Sequence, residues 1–194
     1  MRTIVQPPMY VEACPMGEDR ILDAAYAGML EQGLRKLTMD DVARRAGLAR
    51  ITVYRRFARK NDLIQAVITR ELRRFLHAFE QALAPLPSHA DQVAEGFAIT
   101  LRLVRGHRLL SRLLATEPET ILPLLTLEAG PYLAMARDYL TAHVGDAEVA
   151  ETFVRIALSF VLVPASAIPL LNDDDARAYA RRHLVPLLPS EGIN

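Results

Sequence analysis

Between Arg50 and Lys60 the chain places five cations, Arg50, Arg55, Arg56, Arg59 and Lys60, around Thr52 and Tyr54. Guanidinium groups can bond guanine O6 and N7 in bidentate fashion, threonine reaches a base edge or a thymine methyl, and a tyrosine hydroxyl reaches phosphate. A helical pitch over this run puts Ile51, Thr52 and Arg55 on the outward face, with Tyr54 and Arg56 on its flanks. Arg50 stands at the helix N-terminal end, where free N–H groups and the dipole favour an anion. Lys60, after Arg59, opens the next helix, placed to hold a phosphate. The chemistry is recognition of a polyanion with readable edges: DNA.

Such a face needs elements to aim it. Thr38 precedes a helical pattern and Asp41 follows three residues on, the spacing of a capping box. Val42, Ala43 and Ala46 then share one face. Gly47 sits where the chain must stop and turn, and glycine best tolerates the positive φ that such a turn often needs. Leu48 restarts the apolar pattern, and Val53 with Phe57 continues it at i, i+4. The spacing predicts a helix-turn-helix. A run of charge alone usually means a solvated face, but here it coincides with a glycine turn and two apolar seams. Thr38, Arg50, Ile51, Thr52, Tyr54, Arg55, Arg56 and Lys60 are therefore the candidate DNA-binding residues.

These segments, ILDAAYAGMLEQG, LTMDDVARRAGL, TVYRRF and KNDL, lie within Gly17–Ala66, about 50 of 194 residues. They resemble the DNA-binding domain of the TetR family of bacterial one-component transcriptional regulators. That family typically carries a T-x-x-x-V/I-A-x-x-A-G second helix and an aromatic L/V-Y-x-x-F third helix. Two departures stand out. Arg59 occupies a position where the family often has a capping serine, and Ile51 one where small residues are common. The resemblance implies a repressor that binds a palindromic operator as a homodimer through its last two helices, and that a small molecule in the C-terminal domain releases.

Charge divides the chain in the same way. Residues 1–79 carry 14 Arg and Lys against 9 Asp and Glu, and residues 80–194 carry 9 against 14. The zero net charge hides a basic half suited to nucleic acid and an acidic half that is not. One cysteine, Cys14, excludes an internal disulfide and suits a reducing compartment. No signal sequence opens the chain, and no apolar run approaches the roughly 20 residues of a membrane span. The expectation is a cytoplasmic protein that makes no membrane contact.

Beyond Leu63 the pattern stays helical, which predicts an all-α chain of about nine helices. The division expected is an N-terminal arm over 1–16, a helix-turn-helix domain over 17–63, and a domain for effector binding and dimerisation over 64–194. A long fourth helix should stop near Pro85. Ser88 caps the next, and Gly145 closes the helix that begins near Tyr132. Ala147 to about Leu171 reads as a very apolar helix, with Pro164 and Pro169 placed to bend it or end it early. Apolar on more than one face, this helix needs cover from several sides, and a second subunit is a natural source. Ile156, Phe160, Val161, Ala167, Tyr179 and His183 are the candidate dimer contacts.

Phe75, Phe79, Phe97, Leu101, Leu113, Leu114, Leu124, Leu127, Tyr132, Met135 and Phe153 are the candidate lining of a cavity for a small hydrophobic effector. Each is individually more often plain core. Arg102, Arg105 and Arg108 read as a solvated face, and Glu117 with Glu119 as surface decoration. An alternative is a regulator that answers to a protein partner or to no ligand. Catalysis is disfavoured. The five histidines show no metal-ligand spacing, Ser111 and Ser159 lack a nucleophile elbow, and no glycine loop cradles phosphate, so no metal or cofactor is expected.

Overall fold

In the computed structural model, residues 16–163 and 165–189 are described, and among them the chain forms ten α-helices, one 3-10 turn and no strand. The expected arm, Cys14 included, lies outside the described residues except for Met16, which opens the first helix. The chain folds as two compact units that divide between Ile68 and Thr69. The boundary read from the sequence, 63/64, falls slightly earlier.

The N-terminal unit contains α1 (Met16–Lys36), α2 (Met39–Ala46), α3 (Arg50–Arg56) and the start of α4 (Lys60–Leu83). Gly33, with φ 84 and ψ 177, breaks α1 three residues before its end. Side chains other than glycine's are strained there. The apolar seams predicted from spacing are the core: Val42 and Val53 are fully buried, joined by Ala43, Ala46, Phe57, Ile21, Met29 and Leu37. Each large aliphatic side chain removed from water in this way contributes about 1.5–3 kcal/mol. α2 packs on α1 and on α3, which ties the outward face of α3 to a rigid base.

The C-terminal unit continues with α5 (His89–Arg105), α6 (Arg108–Thr116), α7 (Pro118–Leu125), α8 (Gly130–Val144), α9 (Ala147–Leu162) and α10 (Asp173–His183). α10 lies along α5, and α8 pairs with α9. Local sequence sets the boundaries. Ser88 caps α5 by accepting the Asp91 N–H at 3.1 Å, and Asp146 caps α9 by accepting from Glu148 and Val149. Gly145 ends α8 as expected.

One boundary differs from expectation. α9 stops at Leu162, well short of Leu171. Val163 takes φ −126 and ψ 80, out of the helical region. A residue that precedes a proline is disfavoured in α conformation, and Pro164 follows it in sequence. Pro164 itself lies outside the described residues. The segment from 165 to 172 is irregular, yet Leu170 is buried and its carbonyl accepts from Arg105 Nη1 at 2.7 Å. Arg105 thus fastens the α9–α10 connection while staying exposed, and Arg102, also exposed, pairs with Asp173.

Candidate nucleic-acid interface

The Thr38 hydroxyl accepts the Asp41 N–H at 3.1 Å and donates to the Asp41 carboxylate at 2.6 Å. That hydroxyl and the Arg44 guanidinium, 2.5 Å away, hold the Asp41 carboxyl below the usual carboxylate range. At the other end of α2, Gly47 adopts φ 63 and ψ 36. Its N–H bonds the Arg44 carbonyl at 3.2 Å, while the Leu48 N–H bonds the Ala43 carbonyl at 3.0 Å. This pair of bonds is the Schellman arrangement that satisfies the last free carbonyls of a helix. Arg20 of α1 adds a third, from Nη2 to the Ala46 carbonyl at 2.7 Å. The turn between the two helices is therefore specified by three independent bonds and one left-handed residue.

That turn aims α3. Val53 and Phe57 face inward and buried, so Ile51 and Arg55, four residues apart, face outward. Ile51 is 75% exposed and Tyr54 46% exposed. Thr52 is half-buried beside them. The cations divide into two sets. Arg50 pairs with Asp40 of α2 at 2.9 Å, and Arg56 is drawn back to Glu18 of α1. Lys60 Nζ donates to the Arg35 carbonyl at 3.1 Å, at the C-terminal end of α1. These bonds do not by themselves exhaust the three donors of an ammonium or the five of a guanidinium, so Arg56 and Lys60 remain candidate phosphate contacts. Arg55 is exposed and forms no ion pair among the described residues. Asp62 accepts the Arg59 N–H at 3.1 Å, one half of a capping box, while the arginine side chain has no acceptor to offer the first turn of α4.

The apolar candidates of the C-terminal unit separate into groups. Phe97, Leu101 and Phe153 belong to one closed core with Ala98, Leu170 and Leu184. Phe160 and Tyr179, read as dimer contacts, pack against that same core: Tyr179 stacks on Phe97 at 5.4 Å and Phe160 meets both rings edge-on. Ile156 and Val161 are half-buried, while Ala167 and His183 are exposed. Phe75 and Phe79 form a second cluster with Leu83 and Ile99. Leu113 is buried, and Leu114, Leu124, Tyr132 and Met135 are half-buried. Leu127 is 91% exposed in the turn after α7, so it does not line an interior.

Several interacting groups were not singled out from the sequence. Glu80, Tyr139 and His143 form a cluster beside Phe79. The Tyr139 hydroxyl donates to Glu80, and His143 Nε2 lies 3.1 Å from the same carboxylate oxygen. Burial, with the neighbouring Glu80 charge, pushes the Tyr139 phenol up. His107 caps α6, its Nδ1 accepting the Leu110 N–H at 3.1 Å. Glu117, expected on the surface, is 6% exposed at the junction of α6 and α7. Arg177 of α10 donates to both oxygens of Glu95 on α5, and this holds the Glu95 carboxyl below its usual range. Only the capping pairs carry a local signal; the others join residues 59 to 82 positions apart, beyond the reach of spacing.

Comparison with known proteins agrees with this geometry. Residues 21–67 match the family model described as bacterial regulatory proteins, tetR family, and residues 89–181 match the bacterial tetracyclin repressor C-terminal domain. The chain is 26% identical over 187 residues to the HTH-type transcriptional regulator AlkX of Mycobacterium tuberculosis, covering 90% of this chain and 86% of that one. Among solved structures, the TetR family repressor AlkX from Dietzia, implicated in biodegradation of n-alkanes, superposes with a TM-score of 0.69 at 24% identity, over 88% of this chain and 94% of that one. FadR from Bacillus subtilis in complex with stearoyl-CoA gives 0.54 at 19% identity, over 91% and 99%. With both halves of the architecture matched and the recognition helix exposed on a capped turn, the chain belongs to the TetR family of DNA-binding transcriptional regulators.

Proposed function

We propose that this regulator represses transcription by binding a palindromic operator as a homodimer, and that a small hydrophobic effector releases it. The observation that carries the DNA half is the outward face of α3, where Ile51, Tyr54 and Arg55 stand exposed while Val53 and Phe57 anchor the helix from behind. Thr52 and Arg50 flank that face, and Thr38 sets the start of α2 by its cap. Arg56 and Lys60 serve as phosphate contacts beside their bonds to Glu18 and the Arg35 carbonyl. A dimer fits the apolar, half-exposed character of α9, with Ile156 and Val161 as contacts, and two recognition helices about 34 Å apart would read the two half-sites. The compartment is the cytoplasm, where the operator is.

The effector reading rests on side-chain character. Leu113, Leu114, Leu124, Tyr132, Met135, Phe75 and Phe79 supply apolar surface on α4, α6, α7 and α8. The polar cluster among them, Glu80, Tyr139 and His143, bonds to itself, so these three groups need no polar partner from a ligand. Two fold relatives are tied by name to such compounds, one to n-alkane degradation and one to stearoyl-CoA. Release follows if the effector binds the DNA-incompetent state more tightly, which lowers operator affinity by the same coupling, typically about 1–3 kcal/mol.

The test combines two readouts on purified protein with a series of fatty acids, acyl-CoA thioesters and alkanes. A ligand that prefers the folded state raises the melting temperature by mass action. The expected result is a chain-length-dependent rise matched by loss of operator binding. Stabilisation without release would reject the effector role, and no stabilisation by any compound would reject the hydrophobic class.

A further inference from the structure

Ile51 is a large apolar side chain held in water on the one face that the rest of its helix does not use for packing, 75% exposed in a seven-residue helix. Nothing local favours it there. A β-branched residue forms helix less well than alanine, and α3 has no side chain capping its start. Local rules broken at a solvent position mark a site with another use. Its helical neighbour on the same face is Arg55, while Arg50 and Arg56 are bonded to Asp40 and Glu18. The outward stripe of α3 is thus one guanidinium with no ion pair among the described residues and one branched hydrocarbon, four residues apart.

The DNA major groove offers a hydrocarbon one main apolar target, the 5-methyl group of thymine. Resting on the DNA-binding reading above, we infer that Ile51 reads a thymine methyl and so fixes a T·A pair in each half-site. Four residues of helix span about 6 Å, and stacked base pairs rise about 3.4 Å. The thymine therefore lies within about two base steps of the base pair that Arg55 reads. The contact needs no hydrogen bond and no charge, so it contributes base choice without salt dependence.

The experiment uses the full-length protein and its selected operator, with each thymine replaced in turn by deoxyuridine, which removes only the methyl. Burial of one methyl-sized group corresponds to about a fourfold change in affinity per half-site. The expected pattern is that wild-type protein loses this factor at one symmetry-related pair of thymines. Ile51→Ala should bind the methylated operator more weakly and show no further loss at that pair, and Ile51→Val should keep part of the sensitivity. Because Ile51 is exposed, neither variant disturbs the core. Uniform insensitivity of the wild type to every methyl would overturn the assignment, as would equal sensitivity in Ile51→Ala. If no duplex is bound selectively by the wild type at any position, the DNA-binding reading itself falls, and this inference with it.

Discussion

Replacing Gly47 by alanine tests the turn that aims the recognition helix. The residue sits at φ 63 and ψ 36, and an added Cβ would stand 3.2 Å from Arg20 Nη2. The left-handed backbone costs an L residue about 1–2 kcal/mol. Loss of glycine's freedom in the unfolded chain offsets about 0.4–1 kcal/mol of that. Strain alone therefore leaves about 1 kcal/mol. If the new methyl displaces Arg20 from the Ala46 carbonyl, a charge-assisted bond at 2.7 Å is lost as well, for a further 1.5–3 kcal/mol or so. The total expected is about 2.5–4 kcal/mol, concentrated in the N-terminal unit. Amide hydrogen exchange over α2 and α3 reads that unit separately from the remainder, and operator affinity should fall in parallel. A cycle with Arg20→Ala separates the two causes: the double variant should be less destabilised than the sum of the singles. Protection of α2 unchanged in Gly47→Ala would refute the claim that the left-handed turn is required, and strict additivity would refute displacement of Arg20.

Arg55→Ala should weaken operator binding by about 1–3 kcal/mol and relax base choice at one position; an unchanged preference removes Arg55 as a reader. Lys60→Ala should lower the thermal stability of the N-terminal unit by about 0.5–1 kcal/mol through loss of its bond to the Arg35 carbonyl. It should also weaken operator binding across sequences and reduce the salt slope by about one contact per subunit, whereas a slope as in the wild type would remove Lys60 as a phosphate contact. Arg177→Gln should cost about 0.5–1 kcal/mol near neutral pH by breaking the pair with Glu95. The Glu95 carboxyl is depressed in the folded state, so the stability it contributes is full above its unfolded value of about 4.3 and fades as pH falls through the folded value. The cost of Arg177→Gln should shrink accordingly in acid, and a cost that persists undiminished well below that range would show that packing, not charge, is what the arginine supplies.

The helix-turn-helix was legible because everything that makes it is local. A threonine cap, a glycine turn and two apolar pairs at i, i+4 lie within about twenty residues of one another, and each behaves in the structure as its chemistry dictates. At the end of α9 two signals compete: apolar content continues to Leu171, while the residue before Pro164 leaves the helical region, and the steric rule decides. Arg102 and Arg105 are exposed as a solvated stripe should be, but their partners, Asp173 and the Leu170 carbonyl, lie 71 and 65 residues away, where no local pattern announces them. Glu117 was read as exposed for a similar reason, since nothing in its neighbours announces burial. Phe160 and Tyr179 show the limit from the other side. An aromatic residue on a helical stripe must be covered, but periodicity does not say whether its own chain or a second copy covers it; here both pack on Phe97 of their own chain and leave part of each ring exposed for a second copy.

The most direct test is selection of binding sites from random duplex DNA by the full-length protein, with the mass of the bound complex recorded. Enrichment of an inverted repeat, its half-sites about one helical turn apart and occupied by two copies of the chain, is the predicted result. Enrichment of no sequence, with only salt-sensitive background binding, would contradict the claim that the exposed face of α3 reads DNA.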